Sequence, residues 1–194
     1  MMAGVDEADC PAFELLATAY HEAAHAVGAA LVSPQLIVES ATIVSGDGYL
    51  GRVTFEDWSE NIIPDPYDED LGEEICEHER QYLAAEDTVS LLGGLVEGYF
   101  RTGRLDAPTP AGWGDDRDDV LRNAHAQMED DIWHKTGHGR GWLLTAHDPA
   151  AVALIARHSY FWLAVGLVAG ALMRQLTLDG WDVTALVREA RDRQ

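Results

Sequence analysis

The feature that most constrains the fold is a run of small and apolar residues between positions 12 and 32. Seven of these residues recur at the spacing of one helix face. They are Phe13, Leu16, Ala17, Tyr20, Ala24, Val27 and Leu31. Pro11 suits a first helical turn, and Ser33-Pro34 ends the run. We therefore predict a helix over residues 12–32, preceded by an N-terminal tail over 1–11.

The rest of the chain alternates between β-forming and helical patterns. Leu36 to Val44 and Tyr49 to Phe55 are rich in β-formers, and Ser45-Gly46-Asp47-Gly48 between them has turn composition, which predicts a β-hairpin. Loops are predicted over 56–72, 103–114 and 134–141, and further helices over 73–100, 115–128, 149–176 and 182–191. The expected fold class is α+β and mostly α-helical, with residues 12–194 forming a single domain.

Composition narrows the possible partners and compartments. The 34 acidic residues outweigh 13 basic ones and give a net charge of -21, so nucleic acid and anionic membranes would be repelled. The two cysteines, Cys10 and Cys76, lack metal-type spacing and predict neither a disulfide framework nor a cysteine zinc site. The acidic N-terminus does not resemble an export signal, and the apolar stretch 160–173 is shorter than the roughly 20 residues of a membrane span. A cytoplasmic protein without membrane insertion is expected.

The chemistry-bearing motif is His21-Glu22-Ala23-Ala24-His25, in the middle of the first predicted helix. Residues four apart on a helix project side by side, so the two imidazoles can direct nitrogen atoms at one metal ion. In zinc peptidases with this pattern the ion acidifies a bound water and polarises the scissile carbonyl, while the glutamate takes the proton. The motif predicts Zn²⁺ ligands at His21 and His25 and a general base at Glu22.

Two histidines leave a catalytic zinc ion short of its usual third protein ligand. The metzincin pattern would place a histidine at position 31, which is Leu31 here, so that class is excluded. A glutamate from a later helix would be Glu97, and Asp116 is the other candidate. Glu97 also fits a hydrogen-bond partner of a zinc-bound histidine or a purely structural role.

Several segments together resemble the peptidase domain of FtsH-type membrane-anchored ATP-dependent proteases. The segment from Ala19 to Val27 is similar to the family's zinc helix, and Ala41 to Val44 followed by Tyr49 to Val53 to its hairpin. Leu91 to Glu97 resembles its glycine-bearing helix, and Leu176-Thr177-Leu178-Asp179-Gly180 its closing segment. The resemblance covers about residues 12–190 and implies a zincin-like fold.

The resemblance also implies the third ligand. In the family it is an aspartate in a turn that opens a helix, and Gly112-Trp113-Gly114-Asp115-Asp116 occupies the equivalent place. Asp116 fits best, because Val120, Ala124 and Met128 follow it on one helix face; Asp115 suits the N-cap, and Asp119 lies on the polar face. Ala24 stands where the family usually has glycine.

The function implied is that of a zinc-dependent endopeptidase acting on polypeptides. The sequence carries no Gly-x-x-x-x-Gly-Lys phosphate loop, so we expect ATP-independent cleavage of flexible or unfolded segments. The resemblance allows a homo-oligomer and a separate ATPase partner. The alternatives are a non-catalytic, metal-binding regulatory protein and hydrolysis of a non-peptide amide. His134, His138 and His147 lie in predicted connections and are not expected to form a second metal site.

Overall fold

The computed structural model describes residues 11–32, 36–46, 49–56, 72–105 and 150–194. Its helices are α1 (Pro11–Val32), α2 (Gly72–Thr102), α3 (Ala150–Arg157), α4 (Phe161–Gln175) and α5 (Gly180–Asp192). Its strands are β1 (Val38–Thr42), β2 (Arg52–Phe55) and β3 (Thr177–Asp179). The described part is therefore mostly helical with one small antiparallel sheet, which confirms the α+β class.

The sheet has the strand order β2-β1-β3, with β1 antiparallel to both neighbours. Ala41 pairs with Val53 on one side and with Leu178 on the other, and the register shifts between Val38 and Ser40. A bridge between Gly46 and Tyr49 closes the β1–β2 connection, so the predicted hairpin is confirmed.

Helix α1 lies at the centre of the core, packed against α2, α4 and β1. The small residues from Ala23 to Ala29 are buried on several sides, and they allow neighbouring helices to approach closely. Gly28 shows how close this approach is, because a Cβ there would overlap the Cδ1 atom of the buried Leu92 on α2. The sequence of α1 therefore fixes a tight α1–α2 interface, which places the motif of α1 directly against α2.

The predicted single helix over 149–176 is wrong in one respect: it is two helices. Helices α3 and α4 meet at an angle of 94° across the break at 158–160. The break, His158-Ser159-Tyr160, holds neither glycine nor proline, so the bend has a tertiary origin. Phe161 is fully buried at the start of α4, and the side chain of Gln194 donates to the Ser159 carbonyl at 2.9 Å. Packing and the docked C-terminus override the local helical pattern.

The short strand β3 was not predicted, although the residues around it were. Leu176 ends α4 with a positive φ of 66°, and its carbonyl accepts a hydrogen bond from Ile43 N, which joins α4 to the sheet. Asp179 then caps α5 by accepting from Asp182 N at 2.8 Å. Gly180 passes so close to β1 that a Cβ would overlap the Val38 carbonyl oxygen.

The remaining predicted elements differ in how far the structure describes them. The helices predicted over 12–32, 73–100 and 182–191 are confirmed as α1, α2 and α5, each within three residues at either end. The loops predicted over 56–72 and 103–114 lie largely outside the described residues, and the 115–128 helix and the 134–141 connection lie wholly outside them. In the part described, no single helix meets the length and hydropathy expected of a membrane span, and only the bent α3–α4 pair does so jointly.

Candidate metal centre

The two histidines of the motif converge, as their spacing on α1 predicts. The His21 and His25 Nε2 atoms lie 2.9 Å apart, and the ring planes are inclined by 77°. Two nitrogen ligands in a tetrahedral zinc site would lie about 3.3 Å apart, given zinc–nitrogen bonds of about 2.05 Å. The pair is therefore within a few tenths of an ångström of the spacing that a shared metal ion needs.

A hydrogen-bond acceptor on α2 orients each imidazole through the Nδ1 atom. His25 Nδ1 donates to the Val89 carbonyl at 2.8 Å, and His21 Nδ1 donates to Glu97 Oε2 at 3.0 Å. A carbonyl and a carboxylate can only accept, so both rings carry their proton on Nδ1. In the neutral rings the two Nε2 atoms then present lone pairs to each other, an arrangement that a cation between them would stabilise.

A glycine on α2 lies close against this pair of rings. A Cβ at Gly93 would overlap His25 Nε2 and lie 2.7 Å from His21 Nε2. Any larger residue at position 93 would therefore displace one or both rings. The two imidazole donors and their 2.9 Å separation fit a zinc ion held by His21 and His25.

Glu22 lies beside the pair and is almost completely buried, with 5% of its surface exposed. Its carboxylate is covered by the backbone that leads into β2, since a Cβ at Gly51 would come within 2.7 Å of Glu22 Oε1. Helix α1 and the hairpin thus enclose the carboxylate between them. The arrangement can hold a general base next to a metal-bound water.

Glu97 is engaged at both carboxylate oxygens. Oε2 accepts from His21, and Oε1 accepts from Arg101 Nε at 2.7 Å. Burial acts to raise the pKa of Glu97, but the hydrogen bonds from His21 and Arg101 outweigh it and hold the pKa below its usual value. Because it binds the Nδ1 side of His21, opposite Nε2, Glu97 acts as a partner of the ring and not as a ligand of an ion at Nε2.

Arg101 continues this network to the first turn of α1. Its Nη1 and Nη2 atoms donate to the two carboxylate oxygens of Glu14 at 2.8 and 2.6 Å. The hydrogen bond from Arg101 lowers the pKa of Glu14, and the same bond is the main cause that raises the pKa of Arg101. The guanidinium also lies 5.5 Å from the centre of the Phe13 ring.

The predicted third ligand, Asp116, and its alternatives Asp115 and Asp119 lie outside the described residues, as do His134, His138 and His147. Among the described residues no group of three histidine, cysteine or acidic side chains could hold a metal ion. The part of the candidate site that the structure describes therefore comprises the two imidazoles, Glu22 and the α2 residues that contact the two rings.

Sequence reasoning found the motif and Glu97 but missed three contributors to the site. Val89 acts through a backbone carbonyl, which no residue pattern reveals. Gly93 stands in a glycine pair, a signal typical of close packing, yet the sequence does not indicate what approaches it. Arg101 follows Glu97 by four residues, the spacing of a helical ion pair, and this signal could have been found.

The chain matches no protein-family model, and no curated protein matches it significantly. The resemblance to FtsH-type peptidases stays a prediction from the motif and the segments named above.

Proposed function

We propose that the protein is a zinc-dependent endopeptidase with a zincin-like, FtsH-type catalytic domain. The observation that carries this proposal is the convergence of the His21 and His25 Nε2 atoms at 2.9 Å, with both Nδ1 protons directed at α2. Asp116 is proposed as the third ligand on the strength of the family resemblance. Zinc is the cofactor because two imidazoles and a carboxylate are its usual catalytic donors.

When bound, zinc would polarise the scissile carbonyl and lower the pKa of a water molecule to near neutrality. Glu22 would accept the proton of that water as its oxygen adds to the carbonyl carbon. As the carbon–nitrogen bond breaks, the Glu22 carboxyl would pass the proton to the leaving amine nitrogen. The buried position of Glu22 excludes competing water from this transfer.

A polypeptide substrate is supported by the position of the sheet edge. Strand β2 is one of the two outer strands in the order β2-β1-β3 of the described part of the chain. Gly51, which covers the Glu22 carboxylate, immediately precedes β2. An extended peptide that adds to a sheet edge forms main-chain hydrogen bonds with it, and here it would lie next to the proposed base.

The first test is the Glu22→Gln variant of the zinc-loaded protein. Glutamine keeps the size of the side chain but cannot take a proton, so cleavage of an unfolded protein such as casein should fall at least about 100-fold, the lower range of general-base contributions. Zinc content should stay unchanged, because Glu22 is not a proposed ligand. Glu189→Gln on the exposed face of α5 is the matched control and should cleave like the wild type.

Equal casein cleavage by the wild type and Glu22→Gln would contradict the mechanism. A wild-type protein that binds zinc but cleaves no peptide library would favour the non-catalytic, metal-binding regulatory function. Cleavage confined to non-peptide amides would change the substrate class and leave the zinc chemistry in place.

A further inference from the structure

Four side chains form a continuous polar chain between α1 and α2. In order they are Glu14, Arg101, Glu97 and His21, joined by contacts of 2.6 to 3.0 Å. Glu14 and His21 belong to α1, and the other two belong to α2. This row of four side chains therefore starts at the half-exposed Glu14 in the first turn of α1 and ends at His21 in the proposed metal centre.

Arg101 uses each of its three nitrogen positions for a separate contact. Nε binds Glu97, while Nη1 and Nη2 bind Glu14 in a bidentate pair. A planar guanidinium provides this fork in one rigid group, whereas a lysine ammonium is a point charge that cannot reproduce it. The two carboxylates are thus fixed relative to one another by a single side chain.

The contact between Arg101 and Glu97 lies inside the protein. The side chains of Arg101 and Glu97 expose only 17% and 8% of their surface, unlike the surface pair of Arg191 and Asp192, which expose 59% and 70%. Exposed ion pairs contribute little to stability because water screens them and their side chains lose freedom. A pair this buried holds its geometry much more firmly.

We propose that Arg101 is a positioning residue of the metal centre. By binding Glu97 Oε1 it directs Oε2 at His21 Nδ1, and that contact keeps the His21 proton on Nδ1 and turns Nε2 toward His25. Glu14 completes the device by fixing the opposite side of the guanidinium. The role in metal binding rests on the proposed function, whereas the effect on the His21 ring does not need the metal.

The test measures zinc affinity by chelator competition for Arg101→Gln, Arg101→Lys and Glu14→Gln in the full chain. Loss of an outer hydrogen-bond partner weakens metal binding about 10- to 100-fold. The zinc affinity of Arg101→Gln should therefore fall by a factor in this range, and the affinities of Arg101→Lys and Glu14→Gln should fall by less. Arg191→Gln is the matched control and should bind zinc like the wild type. Circular dichroism identifies any variant that has not folded, and the half-exposed Glu14 provides a mild substitution in the same chain.

A second readout separates positioning from a general loss of stability. In the Glu97→Gln background, Arg101→Gln should change zinc affinity by less than about twofold, because its effect passes through Glu97. In the metal-free protein, ¹⁵N spectra should show the His21 proton on Nδ1 in the wild type and a mixture of tautomers in Arg101→Gln.

Two results would overturn the inference: wild-type zinc affinity in folded Arg101→Gln, or an unchanged His21 tautomer in the metal-free variant. A wild-type protein that binds no zinc would refute the proposed function alone. The ¹⁵N spectra would still decide whether Arg101 orients His21.

Discussion

At the scale of single residues, the proposed chemistry depends on the orientation of two rings. The sequence predicts that His21 and His25 share a helix face, because spacing alone determines that. It does not predict which ring nitrogen faces the partner, since the acceptors are a backbone carbonyl at Val89 and a carboxylate 76 positions away at Glu97. The close approach of Gly93 to both rings is likewise a property of two packed helices.

Gly93→Ala should weaken zinc binding. The added methyl group would overlap His25 Nε2 and press on His21 Nε2, and both rings are held from behind and cannot retreat. We expect zinc affinity to fall at least about tenfold, as it does when a residue that orients a metal ligand is changed. The control is Gly166→Ala on α4, where a Cβ meets nothing within 4 Å and zinc binding should be unaffected. Wild-type zinc affinity in Gly93→Ala would contradict the role of this close packing in placing the two rings for a metal ion.

At the scale of elements, the sequence predicts those helices and strands that have a periodic pattern of their own. The first helix, the hairpin, the second helix and the closing helix follow from local composition and period, and the structure confirms them. The break between α3 and α4 and the strand β3 depend instead on contacts with distant residues, such as Gln194 on Ser159 and Ile43 on Leu176. No local pattern contains that information.

Gly180→Ala should destabilise the junction of β1, β3 and α5. A Cβ at this position would overlap the Val38 carbonyl oxygen and lie 2.8 Å from its carbon, so backbone must move. We expect a loss of about 3 kcal/mol in the free energy of unfolding measured in urea, at the upper end of overpacking effects. Gly170→Ala, whose Cβ would meet only the end of Arg174 at 3.5 Å, is the control and should be neutral or mildly stabilising. Similar stability of the two variants would contradict the close approach of α5 to β1.

At the scale of the whole molecule, the described elements share one hydrophobic core around α1, and the polar site is embedded in it. Seven of its described members come from α1 and α2: His21, Glu22, His25, Val89, Gly93, Glu97 and Arg101. The distant carboxylate expected at Asp116 is proposed from the family resemblance. Folding and metal binding should therefore be coupled, because the described residues meet only when the two helices pack.

The packing of α1 against α2, which joins Glu14 to Arg101, also makes the stability of the fold depend on pH in the acid range. The folded pKa of Glu14 lies below its ordinary 4.5 because Arg101 donates to the carboxylate, so the unfolded chain takes up its proton first as the pH falls. This contribution is complete above the ordinary value and is lost as the pH falls through the lower folded value. The melting temperature of metal-free Glu14→Gln should consequently fall less between pH 7 and about pH 3 than that of the wild type. An equal or steeper fall in the variant would contradict the Glu14–Arg101 contact.

The central claim is most directly tested by the zinc content of the purified protein, measured by atomic emission on the wild type and on Asp116→Ala. The account predicts about one zinc ion per wild-type chain, as expected of a single catalytic site, and its loss in the variant. A wild-type protein without zinc would contradict the metal centre formed by His21 and His25. Full zinc content in Asp116→Ala would contradict the proposed third ligand.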